Sequence, residues 1–589
     1  MTKSRENNHI PQCKVGRKVK TGCKTCKARR VKCDESRPAC RRCISTGRIC
    51  DGYGIWGGGG SPYGPPQPSK ALSIYCTPVP AGSLDPEEQT CFDWFMRKTT
   101  TKFAGIFKSQ FWETLVFQAS AQEPAVRHAV VALSAAHRFD ISAGSWVPAI
   151  YGVDAERFTL QQYNKAIYHL RSATMKNNAS GSRLSNKKAL RVALITCMLF
   201  VTLEYLRGQY KMGSAHLRYG IQLLADISAP MSRTSMAPGV LSPAEDFVHD
   251  ALIDSYARLT VQSAMFGHVP SHLCVIVRDP QVHALPYTFS SLVEARRTLD
   301  DLLNRIHCLK RYIYTHHSHD NEDKGVEYQP ENDFKAFETQ RKIVADLSLW
   351  KKAYNASISL LKAESQTEKI GFLLLRVYHE MAVVMASVCL SSEGEMVFDA
   401  YTSGFVSVMT TFFDMWRYWC TINMRIKEID RSLQNGEPKC EGYSFTIESG
   451  FIPPMYYTGL KCRIPRIRRL AIRLLRAAPH REGVWNGPLL ADVLEEVAEV
   501  EEGSSYTENY TKQVPGDEFS DGDFQFGKAD LPSPEVRAES RVHDVKVLLP
   551  DIVGEDTFMS YEQKGDDGQW ESFHRKVKRK GVAKSWALF

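Results

Sequence analysis

The 589-residue chain contains no run of 18 apolar residues. Its best candidate, Val192 to Leu203, is too short to cross a bilayer and is flanked by Arg191 and Glu204. No membrane partner is therefore expected. The first residues, MTKSRENNHIPQCK, lack the apolar stretch of a secretory leader, so secretion is not expected either. In a reducing compartment the cysteines would serve as metal ligands, nucleophiles or packing residues rather than disulfides. Enzyme signatures are missing as well: no P-loop, HExxH, GxSxG or paired-carboxylate motif occurs. What the chain does have is 43% apolar and 24% charged residues, enough to exclude wholesale disorder and to build several domains.

The net charge of +9 is unevenly spread. Residues 1–50 hold 15 of the 75 Lys/Arg but only 3 of the 66 Asp/Glu, so the remainder of the chain is slightly acidic. A basic head on a near-neutral body points to one polyanion-binding module joined to something else. Seven of the 16 Cys lie in the same stretch. Six of them, Cys23, Cys26, Cys33, Cys40, Cys43 and Cys50, form a C-x2-C-x6-C unit repeated with a period of 17. Three thiolates per unit leave an isolated Zn²⁺ one ligand short of tetrahedral. If the two units share two sulfurs as bridges, six Cys supply four ligands to each of two structural Zn²⁺ ions. An iron–sulfur cluster would need other spacings, and a disulfide knot another compartment. Cys13 lies outside the repeat and reads as a surface thiol.

The run Lys27-Ala28-Arg29-Arg30-Val31-Lys32 follows the first CxxC and is expected to form a short cationic helix. Such a helix suits a DNA major groove, where Arg or Lys donates to guanine O6 and N7. Lys24, Arg41 and Arg42 are better placed in sequence to meet phosphates and set register. The plainer readings are a solvated basic face or a nuclear-import signal.

The stretch Cys23 to Cys50 resembles the fungal binuclear zinc cluster (Zn₂Cys₆) DNA-binding domain. The likeness rests on all six Cys, the basic run after the second, Asp34 after the third and Pro38 before the fourth. The resemblance implies that Cys23 and Cys40 bridge the metals. It also implies that Lys27, Arg29, Arg30 and Lys32 belong to a recognition helix reading a CGG-type, GC-rich half-site in double-stranded DNA, with Arg29 and Arg30 nearest the bases.

Asp51 to Ser69 reads DGYGIWGGGGSPYGPPQPS, a composition that cannot sustain a helix and marks a flexible tether. Its Gly52-x-Gly54-x-x-Gly57 is a formal dinucleotide fingerprint without the flanking strand and helix that the fingerprint needs. No heptad runs through it, so no coiled coil is expected there, and any homodimer would form through the body. Beyond about Asp85 the pattern is helical. Pro124 opens a helix whose Val126, Ala129, Val130, Leu133 and Ala136 share a face. Leu190 to Leu206 is apolar nearly all round, as in a buried central helix. Residues 214–226, 368–390 and 460–477 continue the pattern, the last with Arg463, Arg466, Arg468 and Arg469 on its polar side, and an acidic helix follows around Leu490 to Val500. Loops fall near 228–245, 316–333 and 433–450, and a strand signal appears at Val542 to Leu549. His316, His317 and His319 read as solvated loop residues, and His128 and His137 as satisfied helix residues.

Glu123 to His137, Leu194 to Asp226, RLTVQSAMFG at 258–267, HREGVW at 480–485 and SRVHDVKV at 540–547 are similar to a fungal-specific transcription factor domain. That resemblance implies a regulatory body and leaves open a small-molecule effector. The expected fold is mostly α: a small zinc cluster, a flexible linker, a large all-α regulatory domain and a small mixed C-terminal part. The expected organisation is a basic arm at 1–20, the DNA-binding module at 21–52, a Gly/Pro-rich linker at 53–84 and the helical body at 85–500. An acidic segment at 501–526 and a C-terminal part with a basic tail at 527–589 complete it. The acidic segment sets Phe519, Phe524 and Phe526 among carboxylates, a composition that suits coactivator contact or a plain solvated loop. Arg575 to Lys580 (RKVKRK) reads as an import signal, a nucleic-acid contact or a frayed tail. Together these imply a nuclear, sequence-specific regulator of RNA polymerase II transcription that is not an enzyme. The competing reading is a metabolite-sensing or metabolite-converting enzyme body tethered by the cluster.

Overall fold

A computed structural model describes residues 23, 25–26, 29–34, 36, 40–46, 84–143, 153–180, 183–228, 250–266, 285–317, 330–361, 365–391, 394–433, 444–477, 480–503, 526, 536–550, 555–565 and 569–579. The chain divides into two compact units, Met1–Thr77 and Pro78–Phe589. The linker, most of the acidic segment and His319 lie outside the described residues, whereas His316 and His317, expected in a loop, end the helix Leu292–His317 with their side chains undescribed.

The larger unit opens with α1, Pro86–Trp94. Asp85 caps it by accepting the N–H groups of Glu87 and Glu88, and Glu88 returns a carboxylate to the Asp85 N–H. Helix α2, Pro124–Ala143, begins at the proline, and its expected apolar face is buried. It packs against α3, Val153–Ser180, and α4, Arg183–Leu206, whose Leu194, Leu199, Val201, Tyr205 and Leu206 are fully buried. Helices α5, Tyr210–Ser228, and α6, Asp250–Met265, follow, and the Tyr256 hydroxyl donates to the Leu194 carbonyl at 2.8 Å.

A second group comprises α7, Leu292–His317, α8, Pro330–Leu360, α9, Gln366–Val388, and α10, Thr402–Leu433. Its centre is the buried Trp350. The indole N–H donates to the Ala295 carbonyl at 3.0 Å, and the ring stacks between Tyr354 and His379 at 5.0 and 5.2 Å. Stretches within α4 and α9 have the length and hydropathy of a membrane span, but most of each is buried inside the unit.

Three helices close the body: α11, Ile452–Lys461, α12, Pro465–Ala477, and α13, Gly487–Glu502. The sequence had read 460–477 as one helix. It is broken because the residue before a proline avoids the helical region, and Pro465 restarts the chain as a first helical position. The expected polar side is also corrected. Arg463, Arg468 and Arg469 are buried, because α13 presents Glu501 and Glu502 to them.

Among the described residues are two small three-stranded sheets. In the first, β1, Ser444–Thr446, runs parallel to β2, His480–Glu482, which turns back into β3, Trp485–Asn486. The two-residue turn places Gly483 at φ +59°, a conformation that suits glycine. The second is an antiparallel meander of β4, His543–Leu548, β5, Phe558–Lys564, and β6, Trp570–Lys576, where the late strand signal lies. Val547 and Met559 point from it into the core.

Candidate metal centre and nucleic-acid interface

In the smaller unit the repeat folds back on itself. Cys23, Cys26, Cys40 and Cys43 are completely buried. Cys23 Sγ lies 3.6 Å from Cys40 Sγ and 3.8 Å from Cys43 Sγ, and Cys26 Sγ lies 3.7 and 3.8 Å from the same two. A tetrahedron with Zn–S bonds of about 2.3 Å has edges of about 3.8 Å. The donor set therefore fits a zinc ion in both chemistry and spacing. A second grouping joins Cys33, Asp34 and Cys40. Cys40 belongs to both, as a bridging sulfur would. Cys50 lies outside the described residues. Burial raises the Cys26 and Cys40 thiols above their ordinary range. Metal binding by these two thiols would therefore be coupled to proton release.

The cationic turn is held from both sides. The N–H of Arg29 donates to the Thr25 carbonyl at 3.2 Å, and that of Val31 to the Cys26 carbonyl at 3.1 Å. The second bond spans six residues and closes the turn with Arg30 in the left-handed region, at φ 54°. A side-chain-bearing residue there costs roughly 1–2 kcal/mol relative to the right-handed conformation. Arg30, Lys32, Arg41 and Arg42 are exposed, and Arg29 is half-buried with its guanidinium donating to Thr46 Oγ1 at 3.2 Å. Lys24 and Lys27 lie outside the described residues.

Two residues that the sequence reading did not assign a role hold the second half. Asp34 accepts the Arg41 and Arg42 N–H groups at 3.0 Å each and so caps the helix Arg41–Ile44. The Ser36 hydroxyl and those two N–H groups hold the Asp34 carboxyl well below the usual range. Thr46 donates to the Arg42 carbonyl at 2.9 Å while accepting from Arg29, and so links the two halves of the repeat. The signal available in sequence was an acid directly after the third cysteine, ahead of the second CxxC.

In the larger unit the notable polar groups are internal. Glu448 lies 2.8 Å from Arg258 Nε and 2.6 Å from Arg296 Nη2. Burial opposes its ionisation, but the two guanidinium groups outweigh it and hold the carboxyl below its ordinary value. Glu482 accepts the N–H groups of Gly450 and Phe451 at 2.7 and 3.0 Å, yet burial pushes it up to about 8. His128 and His137 are satisfied by Gln162 and Thr99 at 2.8 and 2.9 Å.

Comparison with known proteins finds two matching family models. Residues 21–55 match the fungal Zn(2)-Cys(6) binuclear cluster domain, and residues 92–384 match the fungal specific transcription factor domain. Among curated proteins, the chain is 31% identical over 243 residues to the aspercryptin biosynthesis cluster-specific transcription regulator atnN of Emericella nidulans, covering 38% of this chain and 37% of that one. It is 29% identical over 217 residues to the transcription regulator lscL of Purpureocillium lilacinum, covering 34% and 48%. It is 65% identical over 34 residues to the Zn(2)-C6 fungal-type transcription factor afumD of Aspergillus fumigatus, covering 6% and 9%. The matched regions thus span less than half of each relative. No solved structure matches.

Proposed function

From the premise that the chain belongs to the fungal Zn(2)-Cys(6) transcription regulators, which are not enzymes, we propose a nuclear, sequence-specific regulator of RNA polymerase II transcription that reads CGG-type, GC-rich elements. The observation that carries this reading is the set of four sulfurs at zinc-tetrahedron spacing beneath an exposed cationic turn.

Cys23, Cys26, Cys33, Cys40, Cys43 and Cys50 would hold two Zn²⁺ ions. The metal, when bound, supplies the positive charge that keeps the thiolates deprotonated and the module folded. The chain's own residues do the recognition. Arg29 and Arg30, flanked by Lys27 and Lys32, present donors to base edges, while Lys24, Arg41 and Arg42 neutralise phosphates and fix register. Module 21–52 is the reader, 53–84 the tether and 85–500 the regulatory body. The body is the element through which a homodimer would form or a small-molecule effector act. Of the acidic segment expected at 501–526, Glu501 is instead buried and Glu502 part-buried at the end of α13 against Arg463 and Arg468, so the coactivator contact would fall to the residues after Gly503.

Selection of random duplexes by the full chain, paired with metal analysis, tests the proposal. The expected result is a CGG-containing consensus and two zinc atoms per chain. No enriched sequence, or no zinc, would refute it. Arg30→Ala is expected to relax base preference, whereas Arg42→Ala weakens all sequences alike.

A further inference from the structure

The C-terminal meander has two edges, and they are built differently. Edge strand β4 is irregular: its register with β5 shifts between His543 and Lys546, and Asp544 sits in the left-handed region at φ 45°. Bulges of this kind are how sheets blunt an open edge. Edge strand β6 has no such interruption. It pairs with β5 without a shift from Trp570 to Lys576 and contains no proline. It runs on into the basic stretch at Arg575 to Lys580, whose described part is not frayed. There Val577 is buried, and its N–H donates to the Thr557 carbonyl at 2.9 Å.

The direction of the β6 backbone groups follows from the bonds at its two ends, Val577 to Thr557 and the Gly565 N–H to the Gln569 carbonyl at 2.8 Å. Hydrogen-bonded pairs alternate along antiparallel strands. The odd-numbered residues of β6 therefore bond to β5, and Trp570, Ser572, His574 and Lys576 turn their N–H and carbonyl groups away from it. Among the described residues no strand takes up that edge. Trp570 to His574 are exposed on both faces of the strand, including two aromatic rings, Trp570 and Phe573. The cations beside them are already paired, Arg575 with Glu496 and Glu499 at 2.6 and 3.1 Å and Lys576 with Asp556 at 2.6 Å. These exposed pairs leave the edge close to neutral, without the unbalanced charge that keeps strand edges apart.

The sequence of β6 is also complementary to itself. Laid antiparallel against a second copy with Phe573 on the two-fold axis, Trp570 faces Lys576, Ser572 faces His574 and Glu571 faces Arg575. No like charges are opposed, and the even-numbered pairs are the hydrogen-bonded ones, as the outward backbone groups require. A slip of one residue breaks that parity, and a slip of two takes Glu571 away from Arg575. We propose that β6 is a self-association edge, through which two copies join their meanders into one continuous sheet. The inference rests on the reading that a homodimer forms through the body, and it names the strand. The pairing adds up to about eight backbone hydrogen bonds along a strip of about 24 Å. So narrow a contact gives a weak, reversible dimer.

The experiment is sedimentation of the full, zinc-loaded chain over a concentration series, with mild oxidation of cysteine variants. The unaltered chain is expected to show a reversible monomer–dimer equilibrium. Ser572→Pro removes an outward N–H without touching the bonds to β5, a change that edge strands tolerate, and is expected to weaken the dimer about tenfold or more. Phe573→Cys sets two thiols across the axis, where the Cα atoms of a non-hydrogen-bonded pair lie about 4.5 Å apart, within disulfide range. It is expected to form a covalent dimer. Glu571→Cys, with its two copies about 14 Å apart along the strands, is expected to form none. Two results would overturn the β6 interface while leaving dimerisation through the body intact. One is a dimer unchanged by Ser572→Pro, with thermal melts showing the variant folded. The other is a Phe573→Cys chain that crosslinks no faster than Glu571→Cys. A chain that stays monomeric at its highest soluble concentration would overturn both readings.

Discussion

Among the described residues of the smaller unit, the fully buried side chains are Cys23, Cys26, Cys40 and Cys43, with only Val31 and Cys33 packed beside them. The larger unit buries Trp112, Trp350, Trp485, Phe95, Phe103 and Phe111 together with most of α4 and α9. One unit has thiols where a core should be, and the other has a continuous apolar interior. The first can be stable only if something gathers the sulfurs, since so few residues cannot offset chain entropy by apolar burial. The second needs no such help. The difference teaches that one chain can respond to a single chemical treatment in two separate ways.

Chelation at neutral pH is the broadest test of that contrast. It should unfold the cysteine module and abolish specific DNA binding, while the helical signal and main thermal transition of the larger unit stay in place. Cys26→Ala should do the same without chelator. Loss of both units together would break the comparison.

Within the larger unit, the next largest effect is expected at the buried ion-pair lattice that joins the turn before α12 to Glu395 and the end of α13. Arg463→Ala leaves Glu395 and Glu501 short of a cation at 2.8 Å from each, and should cost about 3–5 kcal/mol in denaturant unfolding. A loss under about 1 kcal/mol would place these pairs with the exposed ones.

Glu482 sets a pH dependence of smaller size. Its carboxyl is held near 8 against an ordinary value of 4.5, so the folded state binds the proton more tightly than the unfolded one. The stability linked to this group is therefore fully present below about 4.5 and is lost as pH rises through about 8. His480 Nε2 lies 3.6 Å from the same carboxylate. The stability of the unaltered chain minus that of Glu482→Gln should fall across this window, and a flat difference would contradict the assignment. The smallest effect is at a surface cap: Ser365→Ala removes the acceptor for the Glu368 N–H at 3.1 Å and should lower stability by about 1 kcal/mol.

The reach of the sequence followed the range of the interactions. The six-cysteine register was legible because metal ligation imposes local spacing, and α2 because Pro124 and a three-to-four period are local signals. The arginines in and just before α12 were not. On an amphipathic helix they look solvent-facing, and only the fold brings in Glu501, 38 residues beyond Arg463. Asp34 was noticed for its position after Cys33, but its work on the Arg41 and Arg42 N–H groups required the turn in three dimensions. The breaks in the helical pattern at Pro465 and Gly483 were present as residues and became boundaries only through backbone geometry.

Glu448 also bears on where this protein can be divided. Its guanidinium partners, Arg258 and Arg296, lie 190 and 152 positions earlier in the chain. A truncation ending at residue 384 would keep both arginines and discard the carboxylate that neutralises them. Such a fragment would lose that pairing as well as the end of α9 and the helices after it, so shortened versions meant for crystallisation or ligand screening should extend beyond the first small sheet.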